Sequence, residues 1–127
     1  MKGSRQTVFG AFALLLALSV AGHWWGHRQQ LDVGRAVAAL AGPGDLHMYS
    51  SDTCPTCGEA RRWFQRYEVP FTECSIERDP QCRAEFDALR AFGTPVIVVR
   101  DLPILGFDPE RLLEHLRADT GRAERSD

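Results

Sequence analysis

Two cysteines three positions apart, in Cys54-Pro55-Thr56-Cys57, follow closely on the strand-like run Leu46-His47-Met48-Tyr49-Ser50. A short polar turn separates that run from the first thiol, and Pro55 stands where a first helical turn would begin. Proline suits that place because its missing N–H would have no partner there anyway. Two thiols so placed can close into a small disulfide ring at the N-terminus of a helix. Thiol–disulfide exchange needs a thiolate, and a free cysteine, with a pKa of ~8.5, is mostly protonated at neutral pH. The unpaired amides and the dipole of a helix start favour the anion. Cys54 is therefore the expected nucleophile, the more exposed sulfur at the helix tip. Cys57, one turn further in, is the expected resolving thiol, which frees the substrate from the mixed disulfide that Cys54 makes. Pro55 constrains the turn, Thr56 solvates the sulfur, and both tune the redox poise. Asp52, two residues before Cys54, opposes a lowered thiol pKa, since a nearby anion disfavours the thiolate.

Other uses of these residues are a zinc half-site and an inert structural disulfide. Zinc asks for four ligands. Cys74, Cys82 and His47 are the candidates on paper, but their spacing shows no clustering, so no metal is expected. The histidines (His23, His27, His47, His115) are scattered. Cys74 and Cys82 are a second pair with two readings open. They either close a loop as a disulfide in an oxidising compartment or remain two free cysteines, Cys74 in the core and Cys82 half exposed, because connectivity does not follow from sequence.

The elements that must hold these residues alternate between strand and helix. Leu46 to Tyr49 reads as a strand. Ala60, Trp63, Phe64 and Tyr67 recur at helical spacing and give Glu59 to Tyr67 one apolar face, stopped by Val69-Pro70. Phe71 to Ile76 is a second strand. Asp79 as N-cap and Pro80 at the first helical position open another helix. Phe86, Leu89 and Phe92 form its expected buried stripe, and Gly93 ends it. Val96-Ile97-Val98-Val99 is a continuous β-branched run, suited to a strand covered on both faces. Arg100-Asp101 makes a turn into a last strand, Leu102 to Leu105. Asp108-Pro109 caps the final helix, with Leu112, Leu113 and Leu116 inward. The order is β-α-β-α-β-β-α.

At 127 residues, the chain suffices for one domain and an appendage. Its net charge of -2, with no basic block, leaves no electrostatic footprint for nucleic acid. The appendage is N-terminal. No Asp, Glu, Lys or Arg occurs from Gln6 to Gly26, and Val8 to Ala21 is almost wholly apolar. With the interfacial pair Trp24-Trp25 the segment approaches the ~20 residues that cross a bilayer. Lys2 and Arg5 precede it; Arg28 and Arg35 follow it. Ser19-Val20-Ala21 is an acceptable cleavage site, so residues 1–28 are a signal anchor or a signal peptide. Residues 29–44 are expected to be a juxtamembrane linker containing a short helix over 31–40, residues 45–118 the folded domain, and residues 119–127 a frayed polar tail.

The order of elements, with the cysteine pair after the first strand, resembles the glutaredoxin branch of the thioredoxin fold. The resemblance is carried by His47-Met48-Tyr49-Ser50 before Cys54-Pro55-Thr56-Cys57, by Gly93-Thr94-Pro95-Val96, and by Gly106-Phe107-Asp108 before the last helix. It implies an α/β fold with a four-stranded mixed sheet flanked by helices, here behind an N-terminal transmembrane or signal helix. It implies a cis Thr94-Pro95 bond facing the cysteines, and a substrate-binding surface of Thr56, Thr94, Pro95, Gly106, Phe107 and Asp108. It implies a thiol–disulfide oxidoreductase without a resident cofactor, acting on thiol or disulfide proteins or on glutathione as co-substrate. The alternative on the same fold is a metal or Fe–S binding module. The chain departs from the glutaredoxin pattern in three ways: Ser51, followed by Asp52, stands where many glutaredoxins carry a lysine that helps bind glutathione, Thr56 replaces the usual tyrosine, and the double glycine is reduced to Gly106-Phe107. The phrase Gly106-Phe107-Asp108 is closer to glutaredoxin-like redoxins that thioredoxin-type donors reduce. With the N-terminal segment, the expectation is a monomer held at the inner membrane with its redox domain in the periplasm, or secreted to the periplasm if the signal is cleaved.

Overall fold

The computed structural model describes residues 3–123. Its elements run α1 (Gly3–Leu40), β1 (Leu46–Ser50), α2 (Pro55–Arg66), β2 (Thr72–Ser75), α3 (Pro80–Ala88), β3 (Val96–Val99), β4 (Leu102–Leu105) and α4 (Pro109–Ala123). The chain divides into two compact units between Asp32 and Val33. In the first, Phe9–Gly26 is an 18-residue stretch of mean hydropathy 1.4, none of it buried, and by length and composition it could cross a membrane. Residues 1 and 2, which the expected signal segment includes, lie outside the described residues.

The second unit is built on a four-stranded sheet of order β2-β1-β3-β4. β1 runs parallel to β2 and antiparallel to β3, and β3 runs antiparallel to β4. Side chains alternate across a strand, so each central strand feeds two cores. Leu46 and Met48 of β1, with Ile97 and Val99 of β3, join Ala60 and Phe64 of α2 and Leu112, Leu113 and Leu116 of α4 in the larger core. Tyr49 and Val96 point the other way, into a smaller core with Cys82 and Phe86 of α3. The continuous Val96–Val99 run is thus explained: helices cover both of its faces.

Three expectations are corrected. Residues 33–41 are part of the domain rather than a linker: Val37 is fully buried, Ala41 nearly so, and Val33, Ala36, Ala38 and Leu40 pack against the larger core. Gly34 is why the helix can come this close, since a Cβ there would overlap the Tyr67 ring. The third helix stops at Ala88, and Phe92 is 98% exposed instead of buried. Arg90 turns into the left-handed region, φ 52°, which breaks the helical spacing before Phe92 can reach the core. The last helix runs on to Ala123, past the expected start of the tail. Asp119 there accepts a hydrogen bond from Arg100 at 2.6 Å, which ties that turn to the β3–β4 hairpin. Residues 124–127 of the expected tail lie outside the described residues.

Candidate active site

Cys54 is the N-cap of α2, in extended backbone (φ -97°, ψ 104°), and Pro55 is the first helical residue. An N-cap residue normally offers an oxygen to the free amides of the first turn. Here sulfur does so: the Cys57 N–H donates to the Cys54 sulfur at 3.0 Å. Cys54 and Cys57 are joined as a disulfide, with Cα atoms 5.3 Å apart. Cys57 is fully buried and Cys54 half-buried, so a partner can reach only the first sulfur readily. Thr56 is exposed beside it.

The turn that carries Cys54 is braced by the loop after β2. Ser51 donates to Glu77 at 2.6 Å, and the Asp52 amide donates to the same carboxylate at 3.2 Å. The Ser75 hydroxyl lies within hydrogen-bond distance of both the Asp52 and Glu77 carboxylates, at 3.0 and 3.1 Å. The bond from Ser51 is the main reason the Glu77 carboxyl titrates below its usual range. The Asp52 carboxylate is not left facing the thiols alone: Arg78 pairs with it at 3.0 Å. Beside Cys54 opens a polar cavity of about 380 Å³, lined by Ser50, Ser51, Asp52, Arg61, Glu73, Ser75 and Arg78. Its charges are matched, Arg61 with Glu73 and Arg78 with Asp52. The Arg61 guanidinium holds the Glu73 carboxyl below the usual carboxylate range, against the upward pull of burial.

The other expected site residues fall in two groups. Thr94-Pro95 is a cis peptide, and the Pro95 carbonyl accepts from the Gly106 N–H at 2.8 Å, which brings the two loops together. Gly106 has φ 85°, a conformation glycine adopts without cost. Phe107 and Asp108 have structural partners. The Phe107 ring packs against Trp63 and Phe64, with centroids 5.6 and 5.8 Å away. Asp108 caps α4 by accepting from the Arg111 amide at 3.1 Å. Sequence reasoning missed the cavity residues Arg61, Glu73, Ser75 and Arg78. Arg61 was findable, since positions 54, 58 and 61 share one helix face; the others come from across the sheet. Cys74 and Cys82 are also joined as a disulfide, with Cys82 buried rather than half exposed.

A family model described as Glutaredoxin matches residues 46–104. The glutaredoxin-like protein NrdH of Lactococcus lactis subsp. cremoris is 28% identical over 65 residues, covering 51% of this chain and 90% of that protein. Its counterpart from L. lactis subsp. lactis matches with the same identity and coverage. Among solved structures, a mutant of the thioredoxin-like protein BC3987 superposes with a TM-score of 0.53 at 21% identity, covering 58% of this chain and 96% of that one. That likeness establishes the fold.

Proposed function

Because this chain is a glutaredoxin-like protein of the thioredoxin superfamily, we propose that it is a thiol–disulfide oxidoreductase in which Cys54 attacks and Cys57 resolves. The observation that carries this reading is the half-buried Cys54, held at the cap of α2 with the Cys57 amide aimed at its sulfur. Working as a reductant, the Cys54 thiolate attacks one sulfur of a substrate disulfide, and the other leaves as a thiolate. Cys57 then gives up its proton and attacks the Cys54 sulfur. The second substrate sulfur departs, and two electrons have passed to the substrate. The dithiol holds both electrons, so the chemistry runs without a resident cofactor.

We assign protein disulfides as the main substrate, with glutathione as a secondary co-substrate. Ser51 and Asp52 supply no cation for a glutathione carboxylate, and Arg78 is already engaged by Asp52. The exposed Phe92, two residues before Thr94, offers apolar area to a polypeptide, and the main chain of Thr94 and Pro95 runs beside it. The apolar Phe9–Gly26 stretch with exposed Trp24 and Trp25 supports a membrane anchor, which we place in the inner membrane with the redox domain on the periplasmic side. The test is reduction of insulin disulfides by the full chain, with a thioredoxin-type donor and glutathione compared, against Cys54→Ser. Loss of activity is expected in the variant, and full retention would overturn the assignment.

A further inference from the structure

We propose that Cys74 and Cys82 are a second redox-active couple, separate from Cys54 and Cys57, in which His47 handles the proton of Cys74. The disulfide between them ties the edge strand β2 to the first turn of α3, with Cα atoms 6.0 Å apart. The two sulfurs are unequal. Cys82 is 2% exposed, and its amide donates to the Asp79 cap at 3.2 Å. Cys74 is only half-buried and lies on the outermost strand. An incoming thiolate therefore meets Cys74 first.

The His47 imidazole is oriented toward that sulfur. Its Nδ1 lies 2.7 Å from Thr72 Oγ1, and its Nε2 lies 3.3 Å from Cys74 Sγ. The Thr72 hydroxyl has the Leu46 carbonyl within reach as an acceptor at 3.4 Å; when it donates there, its oxygen accepts from the Nδ1 proton. In that tautomer the neutral imidazole keeps its single proton on Nδ1, and Nε2 turns its lone pair toward the sulfur. A disulfide sulfur has no proton to donate to that lone pair, whereas a Cys74 thiol has one. The arrangement is complementary to the reduced state, in which the proton moves to Nε2 and leaves a thiolate beside an imidazolium. A disulfide serving only as a staple has no use for a base at this place. The titratable group packed on the ring is Tyr49, whose ring centroid is 4.6 Å away and whose hydroxyl donates to Glu85 of α3, and the carboxylate beside Cys82 is Asp79, which caps α3. Glu73 is a neighbour along β2 but is engaged by Arg61.

The reductant is a dithiol. One of its thiolates attacks Cys74 Sγ; the bond between Cys74 and Cys82 breaks, and the Cys82 sulfur leaves with the electron pair and takes up a proton. The second thiol of the dithiol loses its proton and attacks its own partner sulfur in the mixed disulfide. Cys74 departs as a thiolate; His47 Nε2 takes up the proton that the second thiol released, and the resulting imidazolium holds the thiolate as an ion pair or passes the proton to it. The dithiol is oxidised to a cyclic disulfide, the protein gains two thiols, and two electrons and two protons have moved.

The experiment uses the full chain carrying Cys54→Ser and Cys57→Ser, so that the result is independent of the first couple. Treatment with dithiothreitol under native conditions, with the circular dichroism unchanged, is expected to yield two thiols that alkylate after an acid quench and unfolding, mapped by mass spectrometry to Cys74 and Cys82. Iodoacetamide reactivity of Cys74 is then followed from pH 5 to pH 9. His47→Phe is expected to lower the rate at pH 6 about tenfold, by removing the base that generates the thiolate. Thr72→Val, which keeps the strand and the ring but removes the hydroxyl, is expected to lower it severalfold and carries the test if His47→Phe does not fold. A pair that resists reduction until the chain unfolds, or variant profiles that superimpose on the parent, would overturn the proposal.

Discussion

The amide of Cys57 and the sulfur of Cys54 face each other across 3.0 Å. Because this donor belongs to the main chain, replacing the Cys57 side chain leaves it in place. Cys57→Ser is accordingly expected to keep a reactive Cys54 and to lose only the second displacement. The variant should accumulate mixed disulfides with its protein substrates, visible as thiol-sensitive adducts on non-reducing gels. A Cys57→Ser protein that forms no adduct while Cys54 remains alkylatable would contradict the assigned order of attack.

Glu73 supplies a pH dependence. Its carboxyl is lowered chiefly by the hydrogen bond from Arg61, so it binds protons less readily folded than unfolded. The resulting stabilisation is fully present above the ordinary carboxylate range and disappears as pH falls through the depressed folded value. The pair is partly exposed, 40% and 21% by side chain, so its worth is at most about 1 kcal/mol. Glu73→Gln should narrow the difference in urea stability between pH 7 and pH 3. Asp45 and Glu77, which are also lowered, keep the remaining acid sensitivity. An unchanged difference would show that the pair contributes nothing.

At Gly34 the helix backbone approaches the Tyr67 ring too closely for a Cβ. Gly34→Ala must push the ring or the helix aside. Overpacking of this kind costs about 1–3 kcal/mol, in spite of the better helix propensity of alanine. A lowered thermal midpoint is expected, whereas a raised one would mean that residues 33–41 do not hold their place in the core.

Arg100 combines strain with attachment. It stands at the first position of the two-residue hairpin between β3 and β4 with φ 56°, while its guanidinium reaches Asp45 and Asp119 at 3.2 and 2.6 Å. Arg100→Ala loses both partners and keeps the left-handed backbone. Arg100→Gly loses the partners but relieves the backbone, which costs other residues roughly 1–2 kcal/mol. The glycine variant should therefore unfold at higher denaturant concentration than the alanine variant. Equal midpoints would show that the turn stores no such cost.

Phe92 is almost fully exposed, and surface substitutions of that kind usually change stability by no more than about 0.5 kcal/mol. Phe92→Ala should unfold with the parent and yet show a raised KM for a protein disulfide. A small disulfide, too short to reach the ring, should be affected less. Equal effects on both substrates would remove Phe92 from the proposed docking surface.

Much of this architecture was legible in local pattern. The β-branched run Val96–Val99, the capping pairs Asp79-Pro80 and Asp108-Pro109, and the leucines of α4 each fix an element from neighbouring residues alone, and all four strands fall where these signals place them. The failures share one cause, namely contacts between residues far apart in sequence. Nothing near Val37 signals that it shares a core with Leu112, and nothing near Asp119 signals Arg100. Phe92 continues a helical spacing that Arg90 interrupts by a backbone choice. At the site, Cys54 and Cys57 were readable because a helix start brings them together. Glu73, Ser75 and Arg78 were not, because only the parallel pairing of β1 with β2 carries them to the same opening.

Pro103 lies in the middle of β4, the outer strand on its side of the sheet. A strand arriving from another molecule would seek a row of amide donors along that margin and would find the row interrupted, since proline has no N–H. Lateral growth of the sheet into stacks of joined molecules is therefore discouraged at this border. For proteins held side by side at high local density, that is a safeguard against self-association written into a single ring.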